Sequence, residues 1–167
     1  MSKLVQGDKL PQITFNLIDG RSLTLPDEMP TRYVALLFYR GSWSPYCRRQ
    51  LASYQVHKDE LTELEVTVIA ATSDDRDTTV EMAVECGLTM PTAYGVTEDQ
   101  IAGFDAGYGN NEHGHFIQPM EFLISRGGTV FASMYASGPI GRMAVKESIN
   151  GVNHRINRRM MLSKQNK

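Results

Sequence analysis

The sequence has few cysteines and no long apolar segment. Cys47 and Cys86 are the only cysteines among 167 residues, too few for the disulfide framework of a small secreted domain. No apolar run approaches the roughly 20 residues that a transmembrane helix needs, and the start MSKLVQGDKLPQ lacks the apolar centre of a signal peptide. We therefore expect a cytoplasmic protein without a membrane partner, whose cysteines are inert, catalytic or redox-sensing.

The sequence also lacks a strong excess of charge. Its 17 Lys and Arg residues nearly balance 19 Asp and Glu residues, and the formal net charge of −2 at pH 7 gives no general attraction to nucleic acids or anionic lipids. Cations do gather near the C-terminus, but no aromatic residues lie between them, and cations are favourable at a helix C-terminus. We predict a solvated helix end with no nucleic-acid partner for its basic residues, which are His154, Arg155, Arg158, Arg159, Lys164 and Lys167.

Internal repeats, low-complexity segments and linkers are missing as well, so residues 1–167 are expected to form one domain. Asp19-Gly20 between two short apolar runs predicts a leading hairpin, and the apolar stretch 32–39 predicts a central strand buried on both faces. Pro45 can open the helix that follows. Strands separated by helices imply parallel pairing. The remaining predicted elements are a strand over 66–72, a helix over 73–87, a hairpin over 119–135 and a closing helix over 138–160.

Two later stretches have weaker patterns. Residues 91–104 are predicted to be a short connection and a short helix. Residues 105–118 are glycine-rich and polar, and are predicted to form a long loop that lines a site or an interface. In the predicted helix over 73–87, the apolar residues expected to face the sheet are Val80, Ala83, Val84 and Cys86.

The long loop contains the sequence NNEHGH, whose Glu112, His113 and His115 are side chains of the type that bind zinc. These residues lack the spacing of a defined zinc motif. A solvated loop is therefore the preferred interpretation, with a histidine serving at most as a proton donor near Cys47. We predict no metal site.

The stretch FYRGSWSPYCRR contains the residues best suited to catalysis. Cys47 follows Pro45 in the first turn of a predicted helix, where main-chain N–H groups and the helix dipole favour an anion. Arg40, Arg48 and Arg49 add positive charge, although Arg48 and Arg49 are adjacent on the helix and cannot both face the sulfur. These features favour the thiolate, which is the reactive form of cysteine. The alternative is an unreactive cysteine.

Three segments resemble the peroxiredoxin-like branch of the alkyl hydroperoxide reductase/thiol-specific antioxidant (AhpC/TSA) family, in the thioredoxin-fold superfamily. They are LLFYRGSWSPYCRRQL, PMEFLISRGGTV and GDKLPQITFNLIDGRSLTL. The first segment is the most specific, and the resemblance covers nearly the whole chain. It implies a thioredoxin-like α/β fold, with a central mixed β-sheet flanked by helices and an N-terminal β-hairpin extension. It also implies a thiol peroxidase without a metal or organic cofactor, and a homodimer.

The resemblance can be followed residue by residue. Cys47 lies at the position of the peroxide-attacking cysteine, and Ser44 at the family's Thr or Ser, whose hydroxyl serves the sulfur or a peroxide oxygen. Two positions depart from the family. Arg40 replaces a proline and is the candidate for the site's missing positive charge, with a surface ion pair as the alternative. Pro119 replaces an arginine. Thioredoxins have a proline there, in the cis form, that holds a partner's backbone beside the cysteine.

Further residues are expected around Cys47. Trp43, Pro45 and Tyr46 are predicted to line the site as an apolar collar, and Arg142 to reach it from the start of the closing helix. Cys86 lies in a helix where some peroxiredoxins carry a resolving cysteine, although a buried, inert cysteine is the favoured alternative.

The sequence therefore favours a thiol peroxidase in which Cys47 reduces hydrogen peroxide or a small organic hydroperoxide. An external thiol of the thioredoxin, glutaredoxin or glutathione type would recycle it. Two alternatives remain. One is a monothiol thiol-disulfide oxidoreductase, which would exchange glutathione adducts without consuming peroxide. The other is a non-catalytic redox-sensing domain, which would form no sulfenic acid.

Overall fold

The computed structural model describes residues 2–165, which form nine strands and four α-helices. The strands are β1 (Ile13–Leu17), β2 (Ser22–Leu25), β3 (Tyr33–Phe38), β4 (Val66–Ala71), β5 (Thr92–Tyr94), β6 (Tyr108–Asn111), β7 (Gly114–Ile117), β8 (Met120–Ser125) and β9 (Thr129–Tyr135). The helices are α1 (Pro45–Val56), α2 (Lys58–Glu63), α3 (Arg76–Glu85) and α4 (Val145–Gln165), and a short 3-10 turn covers Ala102–Phe104.

Seven strands form one mixed sheet in the order β2-β1-β5-β4-β3-β8-β9. Strand β3 lies inside it, parallel to β4 and antiparallel to β8, and each pairing extends over six residues. All six residues of β3 are buried, as the continuous apolar run predicts. The parallel β3–β4 pair is connected through α1 and α2, so the predicted helix crossover is confirmed.

The two faces of the sheet bury two separate apolar clusters, because side chains alternate along a strand. Val34, Leu36 and Phe38 of β3 belong to one cluster, which includes the N-terminal hairpin. Tyr33, Ala35 and Leu37 belong to the other, which is completed by apolar residues of α1 and α4. Cys47 lies in this second cluster, so the sulfur faces the core rather than open solvent.

The leading hairpin forms as its turn sequence predicts. β1 and β2 pair antiparallel, from Ile13 opposite Leu25 to Asn16 opposite Ser22, and Gly20 adopts φ +92°, a conformation that favours glycine. The hairpin is also part of the main sheet, because β1 pairs antiparallel with β5.

Two predictions between residues 91 and 118 are wrong. The expected connection contains strand β5, which has two paired positions with β1 and two with β4. A strand this short cannot show the two-residue alternation by which strands are predicted. The expected loop contains a second hairpin, β6–β7, turning at Gly114 with φ +101°. Its glycines and polar residues give no strand pattern, and aromatic contacts, two of them with Trp43, stabilise it instead.

Helix boundaries and faces also differ from the prediction. The closing helix begins at Val145, because residues 138–144 are an irregular segment. Val84 is 75% exposed, and α3 buries Thr79, Met82 and Ala83 instead, so only Ala83 of the predicted face is buried. Among residues 2–165, no helix is both long and apolar enough to cross a membrane.

Candidate active site

The start of α1 places Cys47 as the third helical residue. Ser44 is the N-cap, with an extended backbone, and its Oγ accepts the Cys47 main-chain N–H at 3.3 Å. Pro45 occupies the first helical position, where its missing N–H is harmless. Donation from the Ser44 hydroxyl to the sulfur or to a peroxide oxygen stays a prediction. The contact observed is a capping hydrogen bond that fixes the backbone of the cysteine.

Two donors reach the Cys47 sulfur. The main-chain N–H of Arg40 lies 3.3 Å from Sγ, and Arg142 Nη2 lies 3.1 Å from it. Both donors favour the thiolate over the thiol, and Arg142 adds a full positive charge. Cys47 is 0% exposed, so these interactions act on a sulfur from which water is excluded.

Arg142 reaches the sulfur from the irregular segment before α4. Gly141 precedes it with φ +92°, so the chain turns sharply there. Arg142 Nε donates to the Pro139 carbonyl at 3.2 Å, and Tyr54 Oη donates to the Met143 carbonyl at 3.0 Å. The segment is thus tied to α1 on the far side of the arginine.

A buried network of hydrogen bonds holds the Arg142 guanidinium in place. Arg142 Nη1 donates to Gln50 Oε1 at 3.0 Å. The Gln50 Nε2 donates in turn to the Glu121 carboxylate, which also accepts the Met143 main-chain N–H. Gln50 and Glu121 are both buried. Burial raises the pKa of Glu121, and the two donors and the Arg142 charge oppose that rise.

Sequence reasoning missed Gln50 and Glu121, although both left a signal. Glu121 is the single charged residue in the strand MEFLIS, and a charge in a buried strand requires hydrogen-bonding partners. Gln50 lies three residues after Cys47 on a helix, and therefore on nearly the same face.

The Arg40 guanidinium points to a different set of partners. Its central carbon lies 4.7 Å from the Trp43 ring centroid and 4.6 Å from that of Phe116. Trp43 also stacks on His113, with centroids 4.9 Å apart and an interplanar angle of 5°. We name Arg40, Trp43, His113 and Phe116 the Trp43 cluster. The positive charge expected from Arg40 is held in this cluster, and the sulfur receives only the Arg40 backbone N–H.

The other predicted lining residues divide between solvent and core. Pro45 is exposed, and Tyr46 is 38% exposed with Arg49 over its ring at 4.9 Å, so neither forms a closed collar. Pro119 is buried at the start of β8, and its carbonyl accepts the Ala136 N–H at 2.9 Å. The peptide bond before Pro119 is trans, so the thioredoxin-type cis proline suggested by the sequence is absent from the described residues 2–165.

A second acidic residue lies beside the loop that precedes Cys47. Asp74 Oδ2 accepts the Ser42 main-chain N–H at 2.8 Å, and burial raises the pKa of Asp74. Tyr39 is 1% exposed in the same region. Burial raises the pKa of Tyr39 far above its ordinary value, and the nearby Asp74 adds to the rise, so the phenol stays neutral.

Cys86 lies at the C-terminal cap of α3 and is partly exposed. Arg48 Nη1 lies 3.8 Å from its sulfur and 2.8 Å from Glu85 Oε2. Arg48 is therefore the arginine that faces Cys86, while Arg49 is exposed. Both cysteines are free thiols.

The histidines of the second hairpin have protein partners. His113 stacks on Trp43, and His115 Nε2 lies 2.5 Å from Glu98 Oε1 while its ring stacks on Tyr108. Within residues 2–165, no group of three or more His, Cys, Asp or Glu side chains is arranged to hold a metal ion.

Comparison with known proteins identifies the family and agrees with the fold. The family model of the AhpC/TSA family matches residues 6–133. Curated protein sequences give no match. The fold is similar to that of peroxidoxin BcpB from Mycobacterium tuberculosis, with TM-score 0.78, 14% identity, and coverage of 90% of this chain and 97% of that one.

Two further solved structures show the same architecture. A cysteine-to-serine mutant of PrxQ from Xylella fastidiosa gives TM-score 0.79 and 16% identity, covering 93% of this chain and 99% of its own. AhpC from Enterococcus faecalis gives TM-score 0.73 and 17% identity, covering 99% and 98%. At these identities the structures show the fold, and the family model shows the family. The chain belongs to the AhpC/TSA family and has the thioredoxin-like peroxiredoxin fold.

Proposed function

We propose that this protein is a one-cysteine thiol peroxidase in which Cys47 reduces hydrogen peroxide or a small organic hydroperoxide. The observation that supports this most directly is the pair of donors on the Cys47 sulfur, Arg142 Nη2 at 3.1 Å and Arg40 N–H at 3.3 Å. They converge on a sulfur in the first turn of a helix, where the dipole also favours an anion. Three independent features thus favour the thiolate that peroxide reduction requires.

The chemical step balances without a cofactor. The Cys47 thiolate attacks the terminal peroxide oxygen, the S–O bond forms as the O–O bond breaks, and the product is a cysteine sulfenic acid plus an alkoxide or hydroxide. The leaving oxygen takes a proton and departs as alcohol or water. Arg142 remains positively charged throughout, so it stabilises the thiolate first and then the negative charge that moves onto the oxygens.

The burial of Cys47 favours a peroxide over a disulfide as the oxidant. At 0% exposure, the reduced sulfur is closed to a protein disulfide, whose own sulfur must lie in line with Sγ, whereas a small peroxide needs a smaller local displacement to reach it. The oxidised sulfur must become more open before a thiol can recycle it. The trans bond before Pro119 also removes the thioredoxin-like partner contact. These observations count against the monothiol disulfide oxidoreductase alternative.

Recycling requires two equivalents of an external thiol. The first condenses with the sulfenic acid to a mixed disulfide and releases water, and the second releases the reduced enzyme and a disulfide. A reductant of the thioredoxin, glutaredoxin or glutathione type fits this chemistry, and such thiols are kept reduced in the cytoplasm. We propose no resolving role for Cys86 in the catalytic cycle, because it lies at a helix C-terminus beside an arginine that is already paired to Glu85. A homodimer stays a prediction.

Stopped-flow fluorescence tests the proposal, since Trp43 is the only tryptophan and belongs to the loop before Cys47. Mixing with hydrogen peroxide should give a signal whose rate rises linearly with peroxide and exceeds that of free cysteine measured in parallel. Cys47→Ser should abolish the signal and the sulfenic acid trapped by dimedone. Cys86→Ser is the matched control and should retain both. A wild-type rate equal to that of free cysteine would reject the peroxidase, and loss of turnover in Cys86→Ser would reject the one-cysteine cycle.

A further inference from the structure

Glu121 is a charged residue in the middle of the apolar sheet. It lies on β8, opposite Leu37 of β3 and Met134 of β9, and is 1% exposed. A carboxyl group in such a place is unfavourable unless its oxygens receive hydrogen bonds. Both oxygens do: Oε1 accepts from the Met143 N–H, and Oε2 accepts from Gln50 Nε2.

The position of Gln50 between two charged groups fixes the orientation of its amide. Arg142 is only a donor, and both Glu121 oxygens are observed as acceptors. The Gln50 oxygen must therefore face Arg142, where the Oε1–Nη1 distance is 3.0 Å, and its nitrogen must face Glu121. Turning the amide over would place donor against donor at Arg142 and acceptor against acceptor at Glu121.

We propose that Glu121 is a positioning residue for Cys47: by accepting from both Gln50 and the Met143 backbone, its carboxylate orients the Gln50 amide and so holds Arg142 on the sulfur. The contacts run without a break from Glu121 through Gln50 and Arg142 to Cys47, and the last of them is 3.1 Å long. Glu121 also anchors the backbone next to Arg142, through Met143. This inference rests on the proposed function, because Arg142 matters to the sulfur only if the thiolate is the working form.

The variant Glu121→Gln tests the proposal, because an amide of the same shape cannot accept both hydrogen bonds. If the introduced amide presents its oxygen to the Met143 N–H, its nitrogen faces the nitrogen of Gln50. Gln50 then turns over and directs a donor at Arg142. Release of Arg142 should move the midpoint of the thiolate absorbance titration to higher pH by about one unit, with an about tenfold slower reaction with hydrogen peroxide below that midpoint.

The direction of the shift separates positioning from simple charge. If Glu121 acted only as a negative charge near the sulfur, removing it would favour the thiolate, and the midpoint would move to lower pH. A shift to lower pH, or none, would therefore overturn the proposal. In an Arg142→Ala background the Glu121→Gln change should not raise the midpoint further, because the residue through which it positions the sulfur's donor is gone.

Exchanging the side chains of Gln50 and Glu121 tests whether the reaction rate lost in Glu121→Gln can be restored. The double variant combines Gln50→Glu with Glu121→Gln, so that the amide lies on β8 and the carboxylate on α1. The amide can then donate to the carboxylate and accept from the Met143 N–H, while the carboxylate accepts from Arg142. Only the 3.4 Å contact from Gln50 Nε2 to the Met143 carbonyl is not restored. The double variant should react roughly threefold faster than Glu121→Gln alone but stay slower than wild type, because Arg142 returns to the sulfur while its charge is now partly neutralised by the carboxylate at position 50. A double variant no faster than the single one would contradict the proposed orientation mechanism.

Folding and function are controlled separately. Circular dichroism and the urea unfolding midpoint establish that each variant is folded. If Glu121→Gln does not fold, Gln50→Met breaks the same connection from the other side, leaves the Glu121–Met143 contact in place, and should move the titration midpoint in the same direction. A wild-type Cys47 that titrates like free cysteine would reject the proposed function. A reactive wild type with unchanged variants would reject only the role of Glu121.

Discussion

Cys47 and Cys86 each lie near an arginine side chain, yet their surroundings differ in three physical respects. Cys47 is in the first turn of α1, fully buried, with Arg142 Nη2 3.1 Å from its sulfur. Cys86 is at the C-terminal cap of α3, partly exposed, and 3.8 Å from an Arg48 guanidinium that also pairs with Glu85. A helix N-terminus favours an anion and a C-terminus opposes it.

From this comparison we expect that an arginine near a cysteine is not by itself enough to favour the thiolate. At Cys47 the guanidinium is held by an uncharged amide, Gln50, so its charge remains available to the sulfur. At Cys86 the nearest carboxylate already neutralises the arginine. The hydrogen bond to Glu85 raises the pKa of Arg48, as expected for a cation held by its own counter-ion.

The largest expected change in reaction rate comes from removing the arginine beside one cysteine but not the arginine beside the other. Arg142→Gln deletes the charged donor to the Cys47 sulfur and should slow the reaction with hydrogen peroxide about 100-fold, the usual effect of losing one donor to a reacting anion. Arg48→Gln is the matched control and should change the rate less than about twofold, because an exposed pair contributes little. Stopped-flow rates at a fixed pH measure both. Equal losses of reaction rate in the two variants would mean that Arg142 stabilises the Cys47 thiolate no more than Arg48 does.

The two helix N-caps provide a smaller and more specific test. Ser44→Ala removes the acceptor for the Cys47 N–H and should lower the free energy of unfolding by about 1 kcal/mol, while also slowing peroxide reduction a few-fold because the cysteine backbone loosens. Asp75 Oδ1 caps α3 in the same way, accepting the Thr78 N–H at 2.8 Å. Asp75→Ala should lower the urea midpoint without changing the rate. A Ser44→Ala variant that is destabilised yet fully reactive would show that the cap supports only the fold.

The smallest expected effect concerns pH and the neighbouring carboxylates Asp74 and Asp75. Burial raises the pKa of Asp74, so the folded state holds that proton more tightly than the unfolded chain does. Stability from this group therefore falls as pH rises from the ordinary aspartate range through the raised pKa. The Thr78 N–H lowers the pKa of Asp75, whose contribution is instead lost as pH falls through that lowered value.

Urea unfolding across a pH series measures the difference. Asp74→Asn retains an oxygen for the Ser42 N–H and should flatten the decline of stability with rising pH, whereas Asp75→Asn should flatten the loss of stability in acid. Curves for Asp74→Asn that run parallel to wild type would show that the Asp74 carboxyl has the same proton affinity in the folded and unfolded states.

Local sequence signals predicted much of the fold. The Asp19-Gly20 turn, the apolar run of β3 and Pro45 at the start of α1 each depend on the residue itself or its close neighbours, and each is confirmed. Strand β5 was missed because its three residues are defined by pairing with β1 and β4, which lie far away in sequence. The same holds for β6–β7, which lacks strand-forming residues and is stabilised by contacts with Trp43.

In the candidate site, too, features set by neighbouring residues were easier to predict than contacts between distant residues. The capped helix start with Cys47 at its first turn follows from a few adjacent residues. The arginine at the sulfur does not follow from adjacent residues: Arg142, which was predicted to reach the site, is 95 residues away and does contact the sulfur, whereas the preferred Arg40 is seven away and gives it only a backbone N–H. Sequence proximity favoured Arg40, but aromatic rings attract its guanidinium and hold it in the Trp43 cluster.

The distance between Cys47 and Arg142 along the chain has a consequence for biosynthesis. A ribosome adds about 5–20 residues per second, so the 95 residues between them take roughly 5–20 s to make. During that interval the nascent chain carries the cysteine without its arginine, and without Glu121 for most of it. The proposed oxidant sensitivity would therefore be acquired late, when the segment that carries Arg142 docks beside α1.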